Sequence, residues 1–337
     1  MNIPTWVWLA TLGGLLLLLA VDLVIVDRKP HEVTIGEAAR WVVFYVSCGA
    51  LFGLGVWMFA SGTYAGEFFA GYITEYSLSV DNLFIFLVIM SAFSVPLIDQ
   101  HKVLLVGILL ALILRGLFIA IGAAVIAQFS WVFYVFGAFL IYTAYKLSRS
   151  GLGGEDDEYH ENRLTRLARR VVPVTQRYHG SKVFTKINGK RFATPLFIVM
   201  VAIGSADVMF AVDSIPAIFG LTKEPFLVFT ANAFALMGLR QLYFLLGGLL
   251  KELYYLSVGL AVILGFIGLK MVLEALHANT LQFLNGGKGL PVPTVSIGLS
   301  LSVIIGVLAI TAVASVIKGR RDDAKARREL PEPANKA

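Results

Sequence analysis

Glu75-Tyr-Ser-Leu-Ser-Val-Asp81-Asn82, with its echo Asp207-Val-Met-Phe-Ala-Val-Asp213-Ser214, decides how this chain folds. Each stretch places two carboxylates six residues apart inside an apolar run long enough to cross a bilayer. A lone aspartate at mid-membrane costs about 2.5–3.5 kcal/mol, so four left ionised and unpaired cost on the order of 10 kcal/mol. A bound cation, a bound proton or a buried Arg or Lys must compensate. The two stretches read as two halves of one ion site.

Working outward, the 337 residues are 58% hydrophobic and 15% charged, with a mean hydropathy of +0.78. Apolar residues strung into runs of about twenty mark an all-α, polytopic integral membrane protein. About nine runs can be drawn: roughly 5–26, 38–59, 66–94, 102–127, 129–148, 195–221, 225–249, 253–276 and 294–317. The net charge of +6 comes largely from residues flanking these runs, so it is no nucleic-acid footprint. With Cys48 as its one cysteine, the chain has no disulfide framework, no CxxC pair and no thiolate metal site. His31, His101, His160, His179 and His277 all fall in connections or at segment ends, which argues against a deep imidazole site. The first run lacks the basic flank of a signal peptide and is expected to be a retained helix. No GxxxxGK[ST] loop occurs, so nucleotide-driven pumping is not expected. The chain is expected not to be an enzyme and to carry no cofactor.

Lys and Arg set the orientation. With the N-terminus outside, the cytoplasmic connections hold Arg28, Lys29, Arg40, Lys102, the 149–194 segment, Lys251 and the tail from Lys318 to Lys336, against Lys223 and Lys288 outside. Asp22 and Lys146 fall near cytoplasmic ends. The 149–194 loop opens on Glu155-Asp-Asp-Glu158. Arg163, Arg166, Arg169 and Arg170 then interleave with Leu164, Leu167 and Val171, the pattern of a basic amphipathic helix on an anionic leaflet. Asn188-Gly189 between Val183-Phe184 and Phe192 predicts a hairpin. The loop reads as a tether or as a surface for cytoplasmic protein partners. The tail at 321–337 is expected to be disordered, and Gly49, Gly53 and Gly55 to allow close helix packing.

The two acidic runs are each followed by a run with a lone arginine, Arg115 and Arg240, and then by one with a lysine, Lys146 and Lys270. Segments 61–148 and 195–277 therefore read as two three-helix units. They are separated by an odd number of crossings and so are inverted, as in secondary transporters with a midplane site. Segments 1–60 and 278–320 would be peripheral. Six residues of ideal helix turn about 600°, leaving each pair of carboxylates about 120° apart. Convergence on one ion then predicts breaks near 77–82 and 209–216, with Pro216 and nearby serines assisting. Glu75, Asp81, Asp207 and Asp213 are hard oxygen donors, Asn82 and Ser214 neutral ones. Such a set suits Mn²⁺, Mg²⁺ or Ca²⁺. Met209 either adds a thioether favouring Mn²⁺ or packs against lipid and neighbours. Arg115, Arg240 and Lys270 are the candidate compensating charges. The alternative is a purely structural network of these carboxylates and arginines. Carboxylates that take either a proton or a divalent cation would support exchange.

Asp-Leu-Val-Ile-Val-Asp-Arg-Lys-Pro-His at 22–31, the 75–82 stretch and Phe-Ala-Val-Asp-Ser-Ile-Pro-Ala at 210–217 resemble the TerC/Alx family of bacterial membrane proteins over roughly residues 5–317. The resemblance implies a multi-helix inner-membrane protein tied to tellurite resistance. It also implies kinship with the LysE-type transporters and with relatives regarded as manganese exporters. It puts the family's acidic motif on Glu75, Asp81, Asp207 and Asp213. Taken together, these features lead to the expectation of a secondary transporter exporting Mn²⁺, in exchange for protons. The alternatives are a membrane scaffold for a tellurite or metal-stress complex and an exporter of another cation such as Ca²⁺.

The Lys/Arg asymmetry is checked by cysteine accessibility on a Cys48→Ser background. A cysteine at position 160 should react in intact cells only with membrane-permeant reagents. Labelling from outside would reverse the orientation.

Overall fold

The computed structural model describes residues 3–26, 34–129, 131–153, 163–175, 177–187, 189–246, 255–279, 281 and 284–329. The side chains of Asp22 and Asp81 lie outside that description, as do Glu155–Glu158, His160, Asn188, Lys251 and the tail beyond 329.

Each expected run is helical over most of its described residues. The helices are α1 (Thr5–Val26), α2 (Ile35–Phe59), α3 (Gly62–Ala92), α4 (Leu97–Gln128), α5 (Val132–Gly153), α6 (Arg163–Val171), α7 (Pro195–Phe219), α8 (Pro225–Met237), α9 (Leu239–Leu246), α10 (Leu256–His277) and α11 (Ile297–Glu329). Their starts are set by local chemistry. Thr34 and Ser61 accept bonds from the amides of Glu37 and Tyr64, and Pro195 and Pro225 occupy first turns where no amide hydrogen is needed. Among the described residues, six spans are each long and apolar enough to cross a membrane: α2, α3, α4, α7, α10 and Ile297–Gly319 of α11. A shorter apolar stretch, Thr5–Val21, lies in α1, and the run expected at 225–249 is two helices, α8 and α9, meeting at Gly238.

The packing is reciprocal. Helix α3 lies on α8 and α7, α4 lies on α7 and α8, and α5 lies along α10. Exchanging the first three-helix unit for the second maps this set of contacts onto itself. The units are inverted. Glu67, near the start of α3, meets Thr222, just past the end of α7, while the far end of α3 at Phe93 shares a cavity with Pro195 at the start of α7. Likewise Tyr134, opening α5, donates to the carbonyl of Ala275 near the end of α10, 2.8 Å away. The most intimate contact sits where α5 meets its counterpart α10. A Cβ on Gly137 would come 2.8 Å from the Gly268 carbonyl oxygen, and one on Gly268 would come 2.8 Å from that of Gly137. Backbone touches backbone there, which only glycine permits.

Helices α1, α2 and α11 pack around this centre: 22% of the apolar stretch of α2 and 17% of that of α11 are buried, against 62% in α3. Gly49 and Gly53 of α2 meet the rings of Tyr72 and Phe69, whereas Gly55 faces no neighbour. That differs from expectation because Gly55 lies two residues, about 200°, from Gly53 on the helix.

Three further expectations are corrected. Helices α3 and α7 run without interruption through 77–82 and 209–216. Ser77 donates to the Ile73 carbonyl at 2.7 Å and Ser205, just before the second stretch, to that of Ala202 at 2.8 Å, whereas Ser79 and Ser214 have no hydrogen-bond partner among the described residues. Pro216 lies in the last turn of α7, where the amide it lacks costs one bond rather than a helix. The break in the bundle falls instead at Gly238, beside Arg240. Finally, α11 continues to Glu329, because residues 320–329 are helix formers with no proline before Pro331.

The 163–194 segment is docked rather than free. Helix α6 packs on α7, and the predicted hairpin forms from β1 (Phe184–Ile187) and β2 (Lys190–Ala193), antiparallel with Phe184 opposite Ala193. Ser181 donates to buried Asp99 at 2.5 Å, and Tyr178 donates to the Phe93 carbonyl at 2.8 Å. Burial, reinforced by the Asp99 carboxylate, pushes the Tyr178 hydroxyl above its ordinary value, so it remains a donor at neutral pH.

A Gly268→Val substitution should force α5 and α10 apart and lower stability by about 1–3 kcal/mol, the cost of overpacking a tight interface. Thermal unfolding in detergent, compared with Gly55→Val as the neutral control, reads this directly.

Candidate functional site

The site is built on the middle turns of α3, α4 and α7. Glu75 points from α3 and Asp207 from α7, and both meet the guanidinium of Arg115 on α4. Arg115 Nη1 pairs with Glu75 Oε1, and Nη2 donates to Asp207 Oδ1 at 3.0 Å. All three side chains are within a few per cent of complete burial. One carboxylate comes from each inverted unit, so a single guanidinium bridges the pseudo-symmetric halves. The group carries two negative charges against one positive. Glu75 Oε2 and Asp207 Oδ2 have no hydrogen-bond partner among the described residues, nor do the hydroxyls of Thr74, Ser79 and Ser214. Buried polar atoms are seldom left unmet. Two unmet carboxylate oxygens beside a net negative charge are suited to accept a proton or a hard cation.

The other expected site residues are dispersed by helix geometry. Because α7 is continuous, Asp213 is turned away from Asp207 and faces α5, where Thr143 donates to its Oδ1 at 3.3 Å. The four carboxylates therefore do not converge: Glu75 and Asp207 do, Asp213 faces elsewhere, and the Asp81 side chain is outside the described residues. Met209, two residues and about 200° beyond Asp207, is 63% exposed and does not line the ion pair. Asn82 and Ser214 are buried on α3 and α7, and Arg240 is buried beside the α8–α9 junction. Lys270 is buried too, but in a different place. It lines a cavity of about 610 Å³ with Glu67, Lys223, Glu224 and Glu274 at the end of the bundle where α3 begins and α10 ends. There Lys223 pairs with Glu274 at 2.6 Å. Its role as a counter-charge to the central carboxylates is thus corrected: on α10 it sits near the helix end, away from Arg115. Among the described residues, no group of three or more His, Cys, Asp or Glu closes on one point.

Sequence reasoning missed Thr143 and Glu67. No pattern marks a threonine that will face an aspartate across two helices. Glu67 was legible as a carboxylate within the third apolar run, eight residues before Glu75.

The fold and the site define a multi-pass, all-α membrane protein with inverted halves joined by a buried ion triad. The chain belongs to the integral membrane protein TerC family, whose sequence model matches residues 60–323. It is 50% identical over 325 residues to an uncharacterized membrane protein of Mycobacterium tuberculosis, covering 95% of this chain and 82% of that one. Another uncharacterized membrane protein, from Myxococcus xanthus, is 43% identical over 313 residues, 93% of this chain and 92% of its own. The putative membrane-bound redox modulator Alx of Escherichia coli K12 is 38% identical over 317 residues, 91% of this chain and 93% of its own. No solved structure matches the chain.

Arg115→Met should leave two ionised carboxylates buried and unpaired, costing about 3–5 kcal/mol. Adding Glu75→Gln and Asp207→Asn should restore most of the loss. Melting temperature of the purified single and triple variants is the measurement.

Proposed function

We propose that the chain is a secondary transporter that exports a hard divalent cation, Mn²⁺ foremost, across the inner membrane in exchange for protons, with its N-terminus outside and its C-terminus in the cytoplasm. The observation that carries this is the Arg115 bridge between Glu75 and Asp207, one from each inverted unit. In it the guanidinium is the resident cation of a midplane site. A metal entering would draw the carboxylates away from Arg115, and protonation would release the metal. Metal and protons would compete for the same two carboxylates, which is what exchange requires. Inverted units around the pair supply the two arrangements needed for alternating access.

The ion's identity rests on less. An all-oxygen donor set suits Mn²⁺, Mg²⁺ and Ca²⁺ alike, and with Met209 exposed no thioether tips the balance. The preference for Mn²⁺ comes from the family resemblance, and a Ca²⁺ exporter is the nearest alternative.

A scaffold reading is favoured by one observation: α3 and α7 are unbroken, and Arg115 already pairs both carboxylates, as a structural network would. In that case the docked 163–194 segment would recruit cytoplasmic partners in a tellurite or metal-stress response. Redox modulation, which the name of the Escherichia coli relative suggests for that protein, would need chemistry beyond Cys48, since one thiol cannot form an internal disulfide.

Purified protein in proteoliposomes should move Mn²⁺ with opposite proton movement. Asp207→Asn, which leaves Arg115 paired to Glu75, should fold normally yet lose at least about ten-fold in flux, since an amide neither replaces a hard anionic ligand nor takes up the exchanged proton. Parallel runs with Ca²⁺ and Mg²⁺ rank the cargo. Vesicles that pass none of these ions would return the chain to the scaffold reading.

A further inference from the structure

Two cavities meet at α6, and their chemistry is complementary. One is an apolar groove of about 490 Å³ between α4, α6 and α7, lined by Leu110, Leu114, Leu167, Val171, Val201 and Val208 among others. The second, of about 720 Å³, is lined by Arg169, Arg170, Thr175, Tyr178 and Phe93. Val171 and Val172 line both, so the polar cavity continues into the apolar groove around the end of α6.

Helix α6 is divided to match. Thr165 is buried in the bundle, whereas Leu164, Leu167 and Val171 remain 54%, 55% and 70% exposed along the groove. Their spacing of three and four residues keeps them on one stripe, and Arg166, Arg169 and Arg170 take the remaining face. Arg169 lies over the Phe93 ring, and Arg170 has no hydrogen-bond or ion-pair partner among the described residues. Asp99, the acid near Tyr178, is already engaged by Ser181.

The direction of the two cavities matches a lipid. The arginine cavity sits where α3 ends at Phe93 and α7 begins at Pro195, at the edge of the apolar spans. From there the groove follows α7 from Val201 to Val208, about 10 Å of helix rise, out of a hydrocarbon half-thickness of about 15 Å. It ends beside the turn that carries Asp207.

We propose that this is a binding site for an anionic phospholipid, its phosphate held by Arg169 and Arg170 and one acyl chain laid in the α4–α6–α7 groove. The arginines give the charge preference and the groove gives the requirement for a chain. The lipid belongs to the leaflet on the α6 side, the inner one in the orientation proposed above. The site depends only on the chain being membrane-embedded and not on what it transports.

The test uses the full-length protein in nanodiscs with spin-labelled phosphatidylglycerol or phosphatidylcholine as probes. The wild type should immobilise phosphatidylglycerol preferentially. Arg170→Gln, which breaks no hydrogen bond or ion pair among the described residues, should lower that preference by about five-fold, the worth of one basic residue at an anionic surface, and Arg169→Gln/Arg170→Gln should bring it close to that for phosphatidylcholine. Val201→Trp should fill the groove and reduce immobilisation of both lipids. Unchanged selectivity in Arg170→Gln overturns the phosphate contact. Full competition by water-soluble glycerol phosphate, or indifference to Val201→Trp, overturns the acyl-chain groove and leaves an adventitious anion contact only.

Discussion

A guanidinium buried at the centre of the bundle, with a carboxylate on either side, is the constraint that the rest of the structure accommodates. None of Glu75, Arg115 and Asp207 could be buried alone, since the penalty for an unpaired ion in a low-dielectric interior is several kcal/mol. Together they hold α3, α4 and α7 in register at mid-helix. The same triad keeps an excess negative charge and two unmet carboxylate oxygens. The interaction that ties the halves together is therefore also the place where a proton or a metal would alter the balance between them.

Around that triad the packing follows from inversion. Contacts of α3 with α8 are matched by those of α4 with α7, and α5 meets its own counterpart α10. At that self-paired interface the backbones approach until each glycine faces the other's carbonyl oxygen. In a bilayer, where lipid is as apolar as a leucine side chain, such close backbone contact replaces the hydrophobic drive that holds soluble bundles together. A rigid seam at α5–α10 and a charged joint at α3–α4–α7 divide the bundle into a part held by shape and a part held by electrostatics.

The segment between the two units is part of this architecture. Its hydroxyls from Tyr178 and Ser181 bond to the end of α3 and the start of α4, and α6 lies against α7. Helix α6 thus rests on the helix that carries Asp207. The Gly238 break sits between α8 and the arginine-bearing α9. The interruption falls in the run that carries Arg240, whereas α4, which carries Arg115, and the acidic helices α3 and α7 stay whole.

Local signals in the chain determined a good deal. Apolar runs determined the helices, because a bilayer leaves backbone groups no other way to be satisfied. The recurrence of acid, arginine and lysine in matching runs determined the two units, and turn residues determined the hairpin at β1–β2. Those same signals also showed that Glu75, Asp81, Asp207 and Asp213 needed compensation, with a bound cation, a bound proton or a buried Arg115, Arg240 or Lys270 as the candidates. Tertiary structure alone decided which acid met which arginine. Helix phase, which no composition reveals, sent Asp213 to Thr143, turned Met209 outward and placed Lys270 with Glu67 and Glu274 instead of with the central pair. It also decided that the helix break belongs at Gly238 and not beside Asp213: α7 stays helical through 209–216, with Pro216 in its last turn, where the missing amide hydrogen costs a single bond.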